Sequence, residues 1–395
     1  MLNYASAILT VLAAMICLSS CGRDDVPAEG QGTGRFITFT AVEDSVWPGI
    51  TKGAISSVGD LLGDGFMVWG SWTRDPEDDV KYVDDEYSSG KNGAIYNYEG
   101  TVVTATDENE DEEFNQDDDV WSYGPAKEWR RGYYSFAAAI PASAFGDNKL
   151  SGAHYSQSDA STGFTFSASG AVEGVTYNNR LTLDFPDDLF VLGGKSVSGT
   201  KLPSSAQADL MYAFCEIDNS GNDAGNVALD FEHLCAKLSI ELSVENTSKT
   251  MSVQKITIYG LLNAIPTPLE FTRTVTAAKT AEHSNFQDML DAAAEDPETY
   301  RSTQESPFAV FTRPGDSDKA EKWDVACDES GNPVSVPLVE DLIVFPGALS
   351  EDNPLRIMID YNSGDEPMRF FVKTVKEVWE AGKAYTYTLK ADLSE

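Results

Sequence analysis

The sequence predicts an all-β chain, built as two tandem β-sandwich domains with Greek-key wiring. Three observations predict it. Short segments rich in β-branched and aromatic residues alternate apolar with polar positions. Clusters of Gly, Asn, Asp and Ser separate those segments. Helical periodicity is confined to one short stretch, Phe286 to Ala294. Strands at this spacing, with turn residues between them, suit sandwiches.

The elements follow in order. Phe36 to Val42 (FITFTAV) is a compact β-prone run. Phe36, Thr38, Thr40 and Val42 fall on one side of such a strand, and Ile37, Phe39 and Ala41 on the other. Leu181 to Phe185 alternates with period two, and so does Leu238 to Val244. Ile256 to Gly260 follows after a turn. Leu355 to Tyr361 and Met368 to Val372 read as a hairpin closed by Asn362-Ser363-Gly364-Asp365. Ala384 to Lys390 alternates again and closes the chain. The polar, Gly-rich stretch from Asp218 to Gly225 is a plausible boundary. It divides an N-terminal sandwich, 36–217, from a C-terminal one, 226–395. A long hairpin loop is the other reading of the same stretch.

Residues 1–20 are a different object. They contain no Asp, Glu, Lys or Arg. Ala7 to Leu18 is apolar over a length that suits a signal-peptide core and is too short to span a bilayer. It ends in Leu18-Ser19-Ser20-Cys21-Gly22, which resembles a bacterial lipobox. Cleavage between Ser20 and Cys21 would make Cys21 the lipidated N-terminus. An ordinary secretory signal cut nearby, or a buried N-terminal helix, are the alternatives. Residues 21–35 then form a polar tether containing Pro and Gly.

The chain has 395 residues and a formal net charge of −36, from 64 acidic against 28 basic side chains. That balance argues against nucleic acid, whose phosphates demand basic patches. It argues equally against electrostatic docking on an anionic membrane. Hydrophobic residues make up 42%, enough for cores in about two domains of ordinary size. Outside the leader and Cys21, Cys215, Cys235 and Cys327 remain, widely spaced and without a Cys-x-x-Cys pair. They read as small buried thiols, or as one disulfide with a free thiol.

No catalytic signature emerges, and the chain reads as a non-enzyme without metal or cofactor. His154, His233 and His283 lie in no metal-binding spacing. There is no Gly-x-Ser-x-Gly elbow. Gly193-Gly194-Lys195-Ser196 imitates the end of a phosphate loop, but Leu189 stands where its first glycine belongs. The acidic runs 77–79, 84–86, 107–113 and 117–119 hold no glycine at the position a Ca²⁺ loop of the EF-hand type requires, and read as solvated loops.

Four segments, in order behind the lipobox, resemble the fimbrillin family, subunits of donor-strand (type V) pili. The first joins Phe36 to Ala41, Thr51-Lys52-Gly53-Ala54, and Gly63 to Gly70 (GDGFMVWG). The second is a Trp/Tyr block with Trp121, Tyr123 and Trp129, leading into Tyr133 to Pro141. The third is Asp209 to Ala213 with Val227 to Leu238, and the last is Trp379 to Leu389. Taken singly, Trp121, Trp129 and Tyr134 read as core aromatics, His233 as a hydrogen-bonded structural residue, and Gly382-Lys383 as a turn.

The resemblance implies transthyretin-like sandwiches and an exported, palmitate-bearing outer-membrane lipoprotein of the cell surface or fimbrium. It also implies a mechanism. A trypsin-like protease cuts after a basic residue and frees the first strand, here Phe36, Ile37, Thr38, Phe39, Thr40, Ala41 and Val42. A strand from the next subunit then fills the vacated groove. Lys52 is the better processing candidate, because Arg35 precedes the strand and its cleavage alone would not release it. An uncut subunit keeps its strand and lipid and serves as anchor or accessory. The implied partners are other pilus subunits, membrane lipid through Cys21, and host or bacterial surface ligands for adhesion. The competing expectation is a surface lipoprotein that binds glycans on a platform among Trp47, Trp69 and Trp72.

Overall fold

The computed structural model of the chain describes residues 36–41, 65–75, 87, 93–96, 100–106, 120–140, 142, 163–169, 175–203, 207, 209–221, 224–245, 249–349, 351–364, 366–374 and 378–392. The chain is all-β, with several sheets and few short helices. Most of the strands foreseen from alternation form. The hairpin joins Leu355–Ser363 to Glu366–Thr374, with Gly364 in the left-handed region at the turn. The closing strand, Ala384–Asp392, runs parallel to Ala236–Glu245. The longest helix among the described residues, Phe286–Glu295, buries Phe286, Leu290 and Ala293, one stripe of an amphipathic helix.

One sheet has the order Glu232–His233, Met211–Asp218, Tyr133–Ile140, Phe66–Thr73, Thr101–Thr106 and Val120–Ser122, with Gly93–Ala94 also paired to Phe66–Thr73. Its central strands are buried on both faces. Phe66, Val68, Tyr134, Phe136 and Ala138 enter one apolar cluster. Met67, Trp69, Ala137 and Ala139 enter a second, larger cluster. The period of two makes this possible, since alternate side chains leave a strand on opposite sides. The larger cluster continues through the sheet of Gly163–Ser169, Thr176–Leu183, Leu269–Val275 and Thr280–Ser284 and on to Trp379. The smaller cluster is closed off by the first strand.

Strand pairing crosses the expected boundary at 218–225. Thr176–Leu183 pairs with Leu269–Val275, and Lys195–Ser198 with Ala309–Thr312. Leu189–Val191 pairs with Ala264–Pro266. The polar stretch itself is a loop between Met211–Asp218, which pairs with Glu232–His233, and Val227–Leu229, which pairs with Phe39–Ala41. Its backbone is held by local side chains: Ser220 N–H donates to the Asp218 carboxylate (2.8 Å), and Ala224 N–H to the Asn219 side-chain carbonyl (2.9 Å). The halves 36–217 and 226–395 therefore share sheets, because a polar Gly-rich stretch is the same signal for a loop as for a linker.

Candidate functional site

The seat of the first strand is the feature of interest. Side chains alternate along it: Phe36 is 46% exposed, whereas Ile37, Phe39 and Ala41 are 0%, 2% and 2% exposed. Thr38 and Thr40 are half-buried. The sidedness expected from the alternation is thus the sidedness of the fold. Val42 lies outside the described residues, as do Ser20, Cys21, Arg35 and Lys52.

Two rails hold the strand. Phe39–Ala41 pairs in parallel with Val227–Leu229, and Val227 N–H donates to the Thr38 carbonyl at 2.8 Å. On the other side Ile37 N–H donates to the Lys127 carbonyl at 2.8 Å, and Phe36 bridges Glu128. The Tyr123 hydroxyl caps the contact. It donates to the Ile37 carbonyl at 2.8 Å and accepts the Lys127 N–H at 3.1 Å. Thr38 Oγ1 donates to the Asn226 side-chain carbonyl.

Below the strand lies an aromatic floor. Phe39 meets Phe136 and Tyr123 edge-on, with ring centroids 5.5 and 5.4 Å away, and Tyr96 at 6.4 Å. Behind them Tyr87 and Tyr134 share a hydroxyl contact of 2.8 Å, and the Arg130 guanidinium lies 5.1 Å from the Tyr87 ring centroid. Burial pushes the Tyr134 phenol up to about 12, and pushes Tyr87, Tyr96 and Tyr123 up as well. Trp121 and Tyr134 are buried and Trp129 packs against the same cluster, so all three serve as core aromatics.

The arrangement concentrates binding energy in one short strand. Full burial of Ile37 and Phe39 is worth about 1.5–3 kcal/mol each, and Ala41 adds about 0.8. Each backbone hydrogen bond adds about 1 kcal/mol net. An empty seat would expose the apolar floor and two unpaired rails, which is a template for another strand.

Other expected sites fare differently. His233 Nδ1 lies 3.1 Å from an Asp209 carboxylate oxygen, the hydrogen-bonded structural role expected of it. His283 is exposed, with Nδ1 2.9 Å from the Ser284 carbonyl, and His154 lies outside the described residues. Lys195 and Ser196 enter a strand, and Gly193 N–H donates to the Asn263 carbonyl, so this segment wraps no phosphate. Cys215, Cys235 and Cys327 are free thiols. The acidic runs lie outside the described residues. Among the described residues no three His, Cys, Asp or Glu side chains form a metal-type group, and no helix is long and apolar enough to cross a membrane. The aromatic glycan platform needs correction. Trp69 and Trp72 are 4% and 3% exposed, because both faces of Phe66–Thr73 are covered, and Trp47 lies outside the described residues.

Sequence reasoning missed the rails. Val227–Leu229 and the hydroxyl of Tyr123 were visible as a β-prone run and part of an aromatic block, but nothing local tied either to the first strand.

A family model described as fimbrillin-like matches residues 80–393. No curated protein sequence matches the chain. Among solved structures, it is similar to a candidate cell adhesion protein from Bacteroides fragilis, 10% identical with a TM-score of 0.37, covering 91% of this chain and 94% of that one. A second candidate cell adhesion protein, from Bacteroides uniformis, is 14% identical with a TM-score of 0.37, covering 92% and 95%. A fimbrial protein from Bacteroides ovatus is 12% identical with a TM-score of 0.32, covering 92% of this chain and 50% of that one.

Proposed function

The chain belongs to the fimbrillin-like family, and on that footing we propose that it is a subunit, or an accessory or anchor component, of a type V pilus joined by strand exchange. Membership supports a structural, non-catalytic role in a pilus or adhesin at the cell surface, in company with other pilus subunits. The observation that carries the finer reading is the seat of Ile37, Phe39 and Ala41. Three inward side chains and a short set of backbone bonds close an aromatic floor beside Val227 and Leu229.

On this reading the protein is exported with residues 1–20, cut before Cys21 and tethered by lipid. Cleavage after Lys52 separates residues 36–42 from the body, and the strand leaves. A strand from a neighbouring subunit then takes its inward positions and its rails. The contact is head-to-tail and need not close, so repetition gives a filament. With a net charge of −36, the subunits repel at long range, and the joint relies on apolar filling and backbone pairing.

The test is limited digestion of the purified full chain with a Lys-specific protease, alongside Lys52→Gln. The expected result is cleavage near Lys52 followed by SDS-resistant ladders and filaments by electron microscopy, both lost in Lys52→Gln. Protein that is cut at Lys52 yet stays monomeric would sink the strand-exchange joint. Protein that resists cutting at Lys52 would remove the polymerising role and leave the anchor or accessory role.

A further inference from the structure

A cavity of about 300 Å³ lies in the second half of the chain and shares no lining residue with the seat of the first strand. Arg301 and Arg356 both line it. Arg301 gives one Nη1–H to the Gly260 carbonyl at 2.5 Å, and its Nε is buried with no hydrogen-bond partner among the described residues. The Arg356 guanidinium lies 5.9 Å from the Tyr259 ring centroid. Asp352 also lines the cavity, but among the described residues neither guanidinium is ion-paired to it or to another carboxylate. Two arginines thus line one cavity without a carboxylate partner among the described residues, in a chain with more than two acidic residues for every basic one.

The wall is pre-formed. Gly260 sits at φ +87°, and a Cβ there would come within 2.3 Å of the Pro354 carbonyl oxygen. The backbone is therefore locked where Arg301 grips it. Burial and the neighbouring Arg356 charge push the Arg301 guanidinium down from its ordinary range. An anion held by Arg301 and Arg356 would relieve that repulsion, and a guanidinium fork matches the planar geometry of a carboxylate. Two positive charges and one Asp352 favour a monoanion over a phosphate dianion. The Thr303 hydroxyl accepts the Ser306 N–H and keeps its own hydrogen as a donor. Gln304 donates from Nε2 toward the Met358 sulfur, which leaves its carbonyl oxygen as an acceptor. Those groups suit hydroxyls on the ligand. A cavity at the low end of ligand-site volumes admits one sugar unit and not a chain of them.

We propose that this cavity binds an acidic sugar of the uronic acid class, its carboxylate held by Arg301 and Arg356 and its hydroxyls facing Thr303 and Gln304. The site is independent of strand exchange and would serve whether the protein is stalk, anchor or accessory.

Calorimetric titration of the full chain with D-glucuronate, D-glucose and inorganic phosphate tests this. The expected result is saturable glucuronate binding, no glucose binding, and phosphate binding at least tenfold weaker. Arg356→Gln is the informative variant, because the Arg356 side chain rests on Tyr259 and holds no backbone group among the described residues. It should weaken glucuronate at least tenfold with an unchanged melting temperature. Should that variant misfold, Arg356→Lys keeps the charge, loses the fork and should still weaken binding severalfold. Absence of saturable glucuronate binding overturns the proposal, as does undiminished binding by the Arg356 variant. Phosphate binding as tight as glucuronate overturns the sugar assignment.

Discussion

Phe39 stands edge-on to Phe136, with ring centroids 5.5 Å apart and planes at 84°. Phe136 belongs to the central strand Tyr133–Ile140, so this one pair ties the first strand to the middle of the sheet. Edge-to-face geometry adds about 0.5–1.5 kcal/mol to what burial alone supplies. Phe39→Ala should therefore lower stability by about 3–5 kcal/mol, the usual loss for a buried Phe. Phe36→Ala, one residue earlier on the exposed side, should change it by less than about 0.5 kcal/mol. Urea unfolding of the two variants measures the contrast. Equal effects would mean that the strand is not seated by its inward face.

Tyr123→Phe removes a single oxygen that serves two backbone groups, the Ile37 carbonyl and the Lys127 N–H. Leaving such groups without a partner costs about 1–3 kcal/mol. The ring stays and continues to pack on Phe39, so the loss falls on the hold over the strand rather than on the core. The expected signature is faster hydrogen exchange at the Ile37 amide, with the amides of Leu355–Ser363 unchanged. Uniform acceleration across both regions would point to general destabilisation instead.

The acid side is governed elsewhere. Arg313 grips Asp324 through two nitrogens, at 2.7 and 2.9 Å, and so holds the Asp324 carboxyl below the usual carboxylate range. A carboxyl with a depressed folded value stabilises the fold above its unfolded value. That stability is lost as pH falls through the folded one. Asp324→Asn should therefore lower the melting temperature at pH 7 and flatten its decline below about pH 4. A variant that keeps the full acid dependence would assign it to other carboxylates.

Much of this fold could be read locally, because period two is a property of a single segment. The inward set Ile37, Phe39 and Ala41 follows from alternation alone, as do the hairpin turn at Gly364 and the stripe of the Phe286–Glu295 helix. What could not be read is pairing at a distance. Val227–Leu229 as the parallel rail of Phe39–Ala41 depends on where the whole sheet puts both segments. The burial of Trp69 and Trp72 has the same origin: alternation assigns them to faces, but only the assembled layers show that both faces are covered. Arg301 and Arg356 carry no periodic signal at all, and Gly260 and Pro354 bring them to one cavity.

The thiols offer a check on packing. Cys215 and Cys235 are buried, and burial pushes the Cys235 thiol well up from its ordinary value. Cys327 is only half-buried. In a protein beginning after Cys21, iodoacetamide at pH 8 should modify Cys327 first and leave Cys215 and Cys235 intact until denaturant is added. Mass spectrometry of the peptides reads this directly. Early labelling of Cys215, which lies in the same cluster as Phe39, would instead report that the first strand opens readily.

The alkaline limit should be set around the same strand. Tyr134 is pushed up to about 12 from an ordinary 10.0, and Tyr87, Tyr96 and Tyr123 are also raised, chiefly by burial. The neutral phenol is the form the fold keeps, so these groups stabilise it fully below pH 10. Above that, the unfolded chain ionises first and draws the equilibrium toward itself. For Tyr134 alone the two-unit gap is worth roughly 2–3 kcal/mol by pH 12. Four of the six described phenols raised in this way lie in or beside the cluster that Ile37, Phe39 and Ala41 close, against Tyr177 and Tyr212 at the larger cluster, so this region should yield first. A pH titration followed at 295 nm should show exposed tyrosines ionising near pH 10. A later cooperative step should coincide with loss of protection at the Ile37 amide, while Ala236–Glu245 remains protected. Smooth ionisation of every tyrosine near pH 10, with the Ile37 amide still protected, would mean that these phenols reach water without the strand leaving its seat.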